Sequence, residues 1–428
     1  MTGNHLIQAG RRIGFLTLMA LAAFLAAGQT VRAQEALRIS TAGDLAAAAR
    51  KQAASSIGYY NLLLGPVAWR FSSGLAVDYN DNIRLQAQNA QGDFIFRPNG
   101  SAQMHWPVTQ ANDLNLSVAA GYSAYLRHSD LDQFFVHPGS GISFDIYTGD
   151  FVIDLHDRIS ITENAYQNQS ANGNATYDSL QNTLGANALW DLNKVVMMLG
   201  YDHGNYLVLK SSGGLPDAAS ENFFLNGGVR PVPEILTGLE AGFGLIHYSS
   251  SGAAVSSAPP DATQWNAGAF CTATISEYLD ARLDAGYTVF RPDTTSTNFA
   301  SSAASGFYLQ FLLTHRVNRF LNYSLSAGRS IDLQYNGQPY SRYTVRWQPN
   351  SSFLRKYAIS TPLWWEHGTE LYFQTASYDQ YGVGINIRRQ LTQKLSGGIS
   401  YQFVKETSGL PDLNYTDNIV SLSFSCQF

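Results

Sequence analysis

Hydrophobic and polar positions alternate strictly at the end of the chain. Val420, Leu422, Phe424, Cys426 and Phe428 share one face of an extended segment, and Ser421, Ser423, Ser425 and Gln427 share the other. A strand that is apolar on one side and small and polar on the other suits a barrel wall with lipid outside and water inside. An ordinary soluble sheet strand is the alternative. The same period recurs at residues 66–79, 114–126, 151–161, 180–190, 239–245, 279–289, 307–313, 321–327, 343–347 and 381–387. Leu239, Ala241, Phe243 and Leu245, for example, alternate with Glu240, Gly242 and Gly244. In the run at 180–190 the polar face is assigned to Asn182 and Asn187. Each run is about ten residues, the length that a tilted strand needs to cross a bilayer.

Connections between the runs fall into two kinds that alternate along the chain. Short ones include 109–113, 148–150, 191–194, 231–234, 317–319 and 391–394. Long ones, rich in Ser, Gly, Asn, Pro and Asp, are expected at 80–93, 163–177, 203–220, 249–263, 291–305, 366–378 and 406–416. Short turns on one rim and long loops on the other predict an all-β fold: one closed antiparallel transmembrane barrel over residues 66–428. About 18 strands are expected, with 16 as the fallback and both chain ends on the short-turn side. No fixed-period sequence repeat points to a propeller or solenoid.

Composition narrows the choice. Charged residues make up only 14% of the 428 residues while aromatics reach 13%, the balance of a wall that meets hydrocarbon and carries aromatic girdles at its rims. The seven tryptophans, Trp69, Trp106, Trp190, Trp265, Trp347, Trp364 and Trp365, are expected to lie in those girdles; a sugar-stacking path is the competing use. A net charge of −5 offers no basic footprint for nucleic acid. Cys271 and Cys426 are expected to be free, as small lipid-facing residues.

Residues 1–33 read as a cleaved signal peptide. Arg11 and Arg12 precede an apolar run, and Val31-Arg32-Ala33 offers a cleavage site before Gln34. Residues 34–65 are expected to form a periplasmic or lumenal segment, with Leu45 to Ala54 as a short helix or inward plug and a loosely ordered leader as the alternative. Export of this kind places the barrel in a bacterial outer membrane, in contact with outer-membrane lipid and lipopolysaccharide. Phe428, with Phe424 and Cys426, then reads as the carboxy-terminal signal for the barrel-assembly machinery.

At Tyr60 to Asn82, YNLLLGPVAWRFSSGLAVDYNDN, the chain resembles the opening of the beta-barrel porin 2 family of outer-membrane proteins. Asn61, Gly65, Pro66, Gly74, Tyr79, Asp81, Asn82 and Ile83 carry the likeness, followed by Asp93-Phe94 and Trp106-Pro107-Val108. As motif it covers about 50 residues. The resemblance implies an outer-membrane barrel, with some related barrels linked to exopolysaccharide export, and it supplies no catalytic residues.

With the apolar face outward, Arg70, Asp78, Asp154, His156, Arg158 and Glu240 point into the lumen. So do Asp280, Arg282, Asp284, Arg342, Arg346 and Arg388. Such charges either hydrate a channel and set its selectivity or pair across strands and brace the wall. The first use predicts passive passage of hydrophilic solutes or of a secreted polysaccharide. Asp154 and His156 stand two apart on one strand face, close enough to touch, but no motif fixes a nucleophile to them, so a lipid- or peptide-processing enzyme is the weaker reading. A plugged structural or adhesin-like barrel is a third. The loop acids Asp81, Asp93, Asp217 and Asp261 are candidates for divalent cations or simply solvated. No phosphate loop, nucleotide fingerprint or zinc spacing calls for a cofactor or resident metal.

Overall fold

A computed structural model describes residues 60–163, 177–211, 216–249, 260–293, 304–333, 339–353, 356–371, 377–409 and 413–428. Residues 1–33, expected as a signal peptide, and the helix expected at Leu45 to Ala54 lie outside the described residues, as do the connection at 164–176 and parts of most other long connections.

The elements, in order, begin with β1 (Leu62–Leu64), β2 (Val67–Asn80), β3 (Asp93–Thr109), β4 (Asn112–Tyr125), a 3-10 turn (Ser129–Leu131), β5 (Gln133–Thr148) and β6 (Phe151–Glu163). They continue with β7 (Tyr177–Asp191), β8 (Val195–Ser211), β9 (Asp217–Val232), β10 (Ile235–Ser249), β11 (Ala262–Ser276), β12 (Leu279–Pro292) and β13 (Ala304–Arg316). The last are β14 (Leu321–Leu333), β15 (Pro339–Phe353), β16 (Tyr357–Ser360), β17 (Leu363–Glu370), β18 (Ser377–Gln390), β19 (Leu395–Ser408) and β20 (Tyr415–Gln427).

Consecutive strands pair antiparallel, except that β16 and β17 each pair with β15 and β18, and β2 pairs with β20, so the wall has no open edge. β16 and β17 are one wall strand. The register Asn350↔Ser360 continues without a shift to Trp347↔Leu363, and the break falls at Pro362, which has no amide to give the ladder. β1 extends the seam below β20, because it pairs with β2 alone (Leu62↔Trp69). The closed wall therefore has 18 strands.

Asn61 explains why the seam is tight. Its amide donates to the Phe71 carbonyl at 2.8 Å and its oxygen accepts from the Phe71 amide at 3.0 Å, where β20 runs out and the Phe428 amide reaches the same carbonyl at 3.4 Å. Gly65, at φ +60°, turns β1 into β2 in a conformation that side chains disfavour.

Which parity faces where follows from exposure. Asp78, Asp154, Glu240 and Asp284 are buried, while their neighbours Tyr79, Leu155, Leu239 and Leu283 are exposed. This inverts a soluble fold, whose apolar side chains go inside. Enclosed polar groups and an exposed apolar belt are the distribution of a lipid-facing barrel. Cys271 and Cys426 are both free thiols on the outward parity. Phe424 and Phe428 are exposed on that face too.

Three sequence expectations are corrected. Asn182 faces outward, paired with Ile159 and Asn205, rather than sharing the inner face with Asn187. It donates to the outward Asp157, while His203 meets Glu221 at 2.8 Å and Asn205 at 3.0 Å, so this polar island in the apolar belt satisfies itself. Trp364 faces the lumen and lies flat across Gly382, so it is no girdle residue. Finally, 203–220 is mostly strand: β8 runs to Ser211 and β9 begins at Asp217, since His203 and Asn205 sit in a ladder despite their polarity.

Candidate functional site: the inner wall and its mouth

All twelve charged positions read from the sequence fall on the inward parity, but they do not form one site. Arg97, which sequence reading passed over, bonds Asp78 and also reaches Ser123. Arg282 holds Asp284 at 2.6 Å. Arg342 is fully enclosed, meeting Asp332 at 2.8 Å and lying 3.9 Å from Glu366, which also accepts from the Tyr378 hydroxyl at 2.8 Å. Arg346 stacks on Trp364, 5.9 Å to the ring centre. Arg388, near the short-turn rim, donates to Ser396 and Ser425. Asp280 accepts from Thr274 at 2.9 Å. Arg70 and Arg158 are half-buried.

His156 sits between two carboxylates. Its Nδ1 is 2.6 Å from Asp154 and its Nε2 is 3.1 Å from Asp202, contributed by β8. The register His156↔Gly185↔Asp202 explains how they meet: Gly185 has no side chain, and a Cβ there would lie 2.0 Å from the Asp202 oxygen. A carboxylate can only accept, so the arrangement is complete when the ring donates from both nitrogens. A ring held so at both ends has no nitrogen left to activate a hydroxyl or thiol, and the enzyme reading loses its base.

The same device spans four strands elsewhere. Register aligns Glu240, Gly268, Gly286 and Tyr308 in one row across β10 to β13. Tyr308 lies over both glycines, and its hydroxyl donates to Glu240 at 2.5 Å. A large side chain thus lies flat on the wall instead of crossing the bore, a consequence of two residues without Cβ atoms in its path.

The long-loop rim is organised by the first connection, 81–92, which folds inward. Leu85 is 1% exposed and packs on Val404, Tyr415 and Trp364, while Ile83, also 1% exposed, packs on Ile95, Tyr125 and Leu131. Leu85 holds a left-handed φ of 44°, a cost of about 1–2 kcal/mol that its burial offsets. Asn82 pins the fold: its amide donates to Thr416 and Gln86 carbonyls at 2.9 and 3.0 Å, and its oxygen accepts from the Gln86 amide. Asp81 accepts from the Asn418 amide and side chain. Arg84 reaches the second connection, meeting Asp130 at 2.6 Å and holding that exposed carboxyl below the usual carboxylate range.

Asp93, Asp217 and Asp261 are committed to protein in the same way. Asp93 accepts from the Arg127 and His128 amides and from the His128 ring. Asp217 takes the Val208 amide, and Asp261 takes the Tyr248 amide and the His247 ring. These acids close hairpin mouths. Among the described residues no group of three His, Cys, Asp or Glu side chains is placed to hold a metal ion.

No family model matches the chain, and no curated protein matches it in sequence. Solved structures resemble it in shape alone. Pseudomonas aeruginosa OccK2 (OpdF) superposes with a TM-score of 0.48 at 9% identity, over 85% of this chain and 99% of that one. Acinetobacter baumannii OccAB3 gives 0.46 at 9% over 84% and 99%, and the outer membrane protein opdK of Pseudomonas aeruginosa gives 0.45 at 9% over 84% and 99%.

Proposed function

We propose that the protein is an outer-membrane channel for passive passage of hydrophilic solutes. The observation that carries this reading is the inversion of the wall: a closed sheet with charged and amide side chains enclosed and a belt of Leu, Val, Ile, Phe and Tyr exposed. The connection at 81–92 narrows the mouth on one side. Lipopolysaccharide faces the rim of long connections, and Phe428 at the end of the seam is the contact offered to the assembly machinery. Single-channel recording in planar bilayers tests the reading: the folded protein gives discrete conductance steps, and a folded protein that inserts without conducting refutes it.

A second reading, escort of a secreted exopolysaccharide, rests on the inward aromatic surfaces. Trp364, half-buried, lies on the inner wall over Gly382, a presentation suited to stacking against a sugar ring. Voltage-dependent block by oligosaccharides, lost in Trp364→Ala, supports it; conductance indifferent to oligosaccharides removes it.

A further inference from the structure

Every strand of the wall has two partners, yet one pair parts before its strands end. β13 and β14 are joined by the short turn after Arg316, and their ladder runs from Arg316↔Asn322 up to Leu309↔Arg329. Above it β13 continues to Ala304, paired with β12 alone, and β14 continues to Leu333, paired with β15 alone. Roughly 13–16 Å of each strand thus lacks a neighbour on that side, at about 3.3 Å per residue.

The side chains show how the two ends sit. Arg329 pairs with Leu309 and Tyr343 on the outward parity, and Ile331, two residues on, shares that parity. Ile331 is nevertheless only 5% exposed and packs with Ile246, Tyr248, Phe290 and Ala304, all on the inward parity of β10, β12 and β13. The upper end of β14 therefore laps inside β13 instead of lying beside it, and Ile331 Cδ1 fills the place where a Gly306 side chain would go.

Arg329 stands at the outer lip of this lap. Its Nη1 donates to the Phe307 carbonyl at 2.7 Å, and its guanidinium lies 4.0 Å from the Phe307 ring centre and 5.5 Å from that of Tyr343. Its Nε is enclosed and has no hydrogen-bond partner. Its contacts among the described residues include no carboxylate, and the adjoining connections 294–303 and 334–338 contain no Asp or Glu. A guanidinium on the lipid side without a counter-charge is costly, and its planar fork of N–H donors is matched by a carboxylate or phosphate. Immediately behind it lies the apolar cluster of the lap.

We propose that this lapped seam is a binding site for an anionic amphiphile of the surrounding leaflet, with a carboxylate or phosphate head on Arg329 and an alkyl tail taking the place of Ile331 against Phe290 and Tyr248. Entry breaks no ladder hydrogen bond, since none joins the two ends, and it exchanges one apolar contact for another. The site is separate from passage through the bore.

The test is photolabelling of the folded protein in phosphatidylethanolamine vesicles with a diazirine-bearing palmitate, the adducts being mapped by mass spectrometry. Adducts are expected on Ile331, Phe290 and Tyr248, which the open belt does not include, while Leu312, lower on the inner wall, stays clear. Excess palmitate or hexadecyl phosphate is expected to displace them, the more effective of the two naming the head. Arg329→Gln is expected to lower these enclosed adducts about tenfold, the loss of one charge-assisted hydrogen bond, and Arg329→Lys to keep most of them. Adducts on Leu239, in the exposed belt, should be the same in all three proteins. Labelling confined to the belt, labelling spread evenly over the inner wall, displacement by neither competitor, or enclosed adducts unchanged in Arg329→Gln overturns the proposal. The wild-type pattern decides the matter even should a variant misfold, and because conductance is not read, failure of the channel reading leaves this site standing.

Discussion

Truncating Leu85 to alanine isolates what holds the first connection inside the mouth. The side chain is almost wholly enclosed against Val404, Tyr415 and Trp364, so Leu85→Ala removes buried methyl groups without touching the wall ladder. Core Leu→Ala changes cost about 2–5 kcal/mol, and the low end applies here because a connection can settle into the gap more easily than a packed core. About 2 kcal/mol shifts the balance between docked and undocked forms roughly thirtyfold, at 1.4 kcal/mol per tenfold. Arg84, the neighbouring residue, supplies a reporter: trypsin cuts after it only when the connection leaves the mouth. Cleavage limited by that opening follows the undocked population, so the initial rate in protein-containing vesicles should rise by about the same factor. The thermal stability of the barrel should hold, since no wall hydrogen bond is lost. An unchanged cleavage rate at Arg84 in a properly folded variant would refute the docking argument.

Four further outcomes follow from the geometry. Tyr308→Phe strips Glu240 of its hydroxyl donor and should lower unfolding stability in detergent by about 1.5–3 kcal/mol, with Gly286→Val costing more because its side chain meets both Tyr308 and the Ala267 carbonyl. Gly185→Ala should separate His156 from Asp202, visible as loss of a downfield ring N–H resonance and as about 2–4 kcal/mol in urea titration. Asn182→Leu leaves Asp157 facing lipid without its donor, and should slow insertion into vesicles and cost about 1–3 kcal/mol, whereas equal stability would show that water reaches Asp157. The Arg84–Asp130 tie has a carboxyl pKa lowered in the folded protein, so its contribution is complete above the ordinary carboxylate range and fades as pH falls through the lowered value. Amide-exchange protection of residues 81–92, corrected for the intrinsic pH dependence of exchange, should therefore stay flat from pH 7 to about 4.5 and fall only below about pH 3.8.

Most of the wall was legible because lipid outside and polar groups inside impose a period of two. The final strand, with Val420 to Phe428 outward, is as clear in letters as in coordinates. Legibility failed where side-chain size blurs polarity. On β11 the outward residues include Ala267, Ala269 and Ala273 while Phe270 points inward, so no contrast marks the strand. On β5 a register shift between Val136 and Ser140 breaks the alternation. The glycine rows were invisible for another reason. That Gly185 joins His156 to Asp202, or that Gly268 and Gly286 clear the way for Tyr308, depends on which residues oppose each other across strands tens of residues apart. Charge sign and facing could be read from the chain; partners could not. The likeness at Tyr60 to Asn82 is matched by no family model, yet the structure gives residues within it a purpose: Asn61 seals the seam, and Asp81 and Asn82 fasten the inward connection.

The seam between β2 and β20 also governs when the molecule comes into being. Tyr79 must find Val420, a neighbour separated from it by almost the whole polypeptide. Every hairpin in between can zip up with its successor as it emerges, but the ring itself has to wait for the final dozen residues, and until they arrive the opening strand presents a raw row of amides and carbonyls. The newborn chain is thus most vulnerable to wrong partners at its beginning and is rescued only by its end, so mispairing at that first strand is the characteristic hazard of the interval.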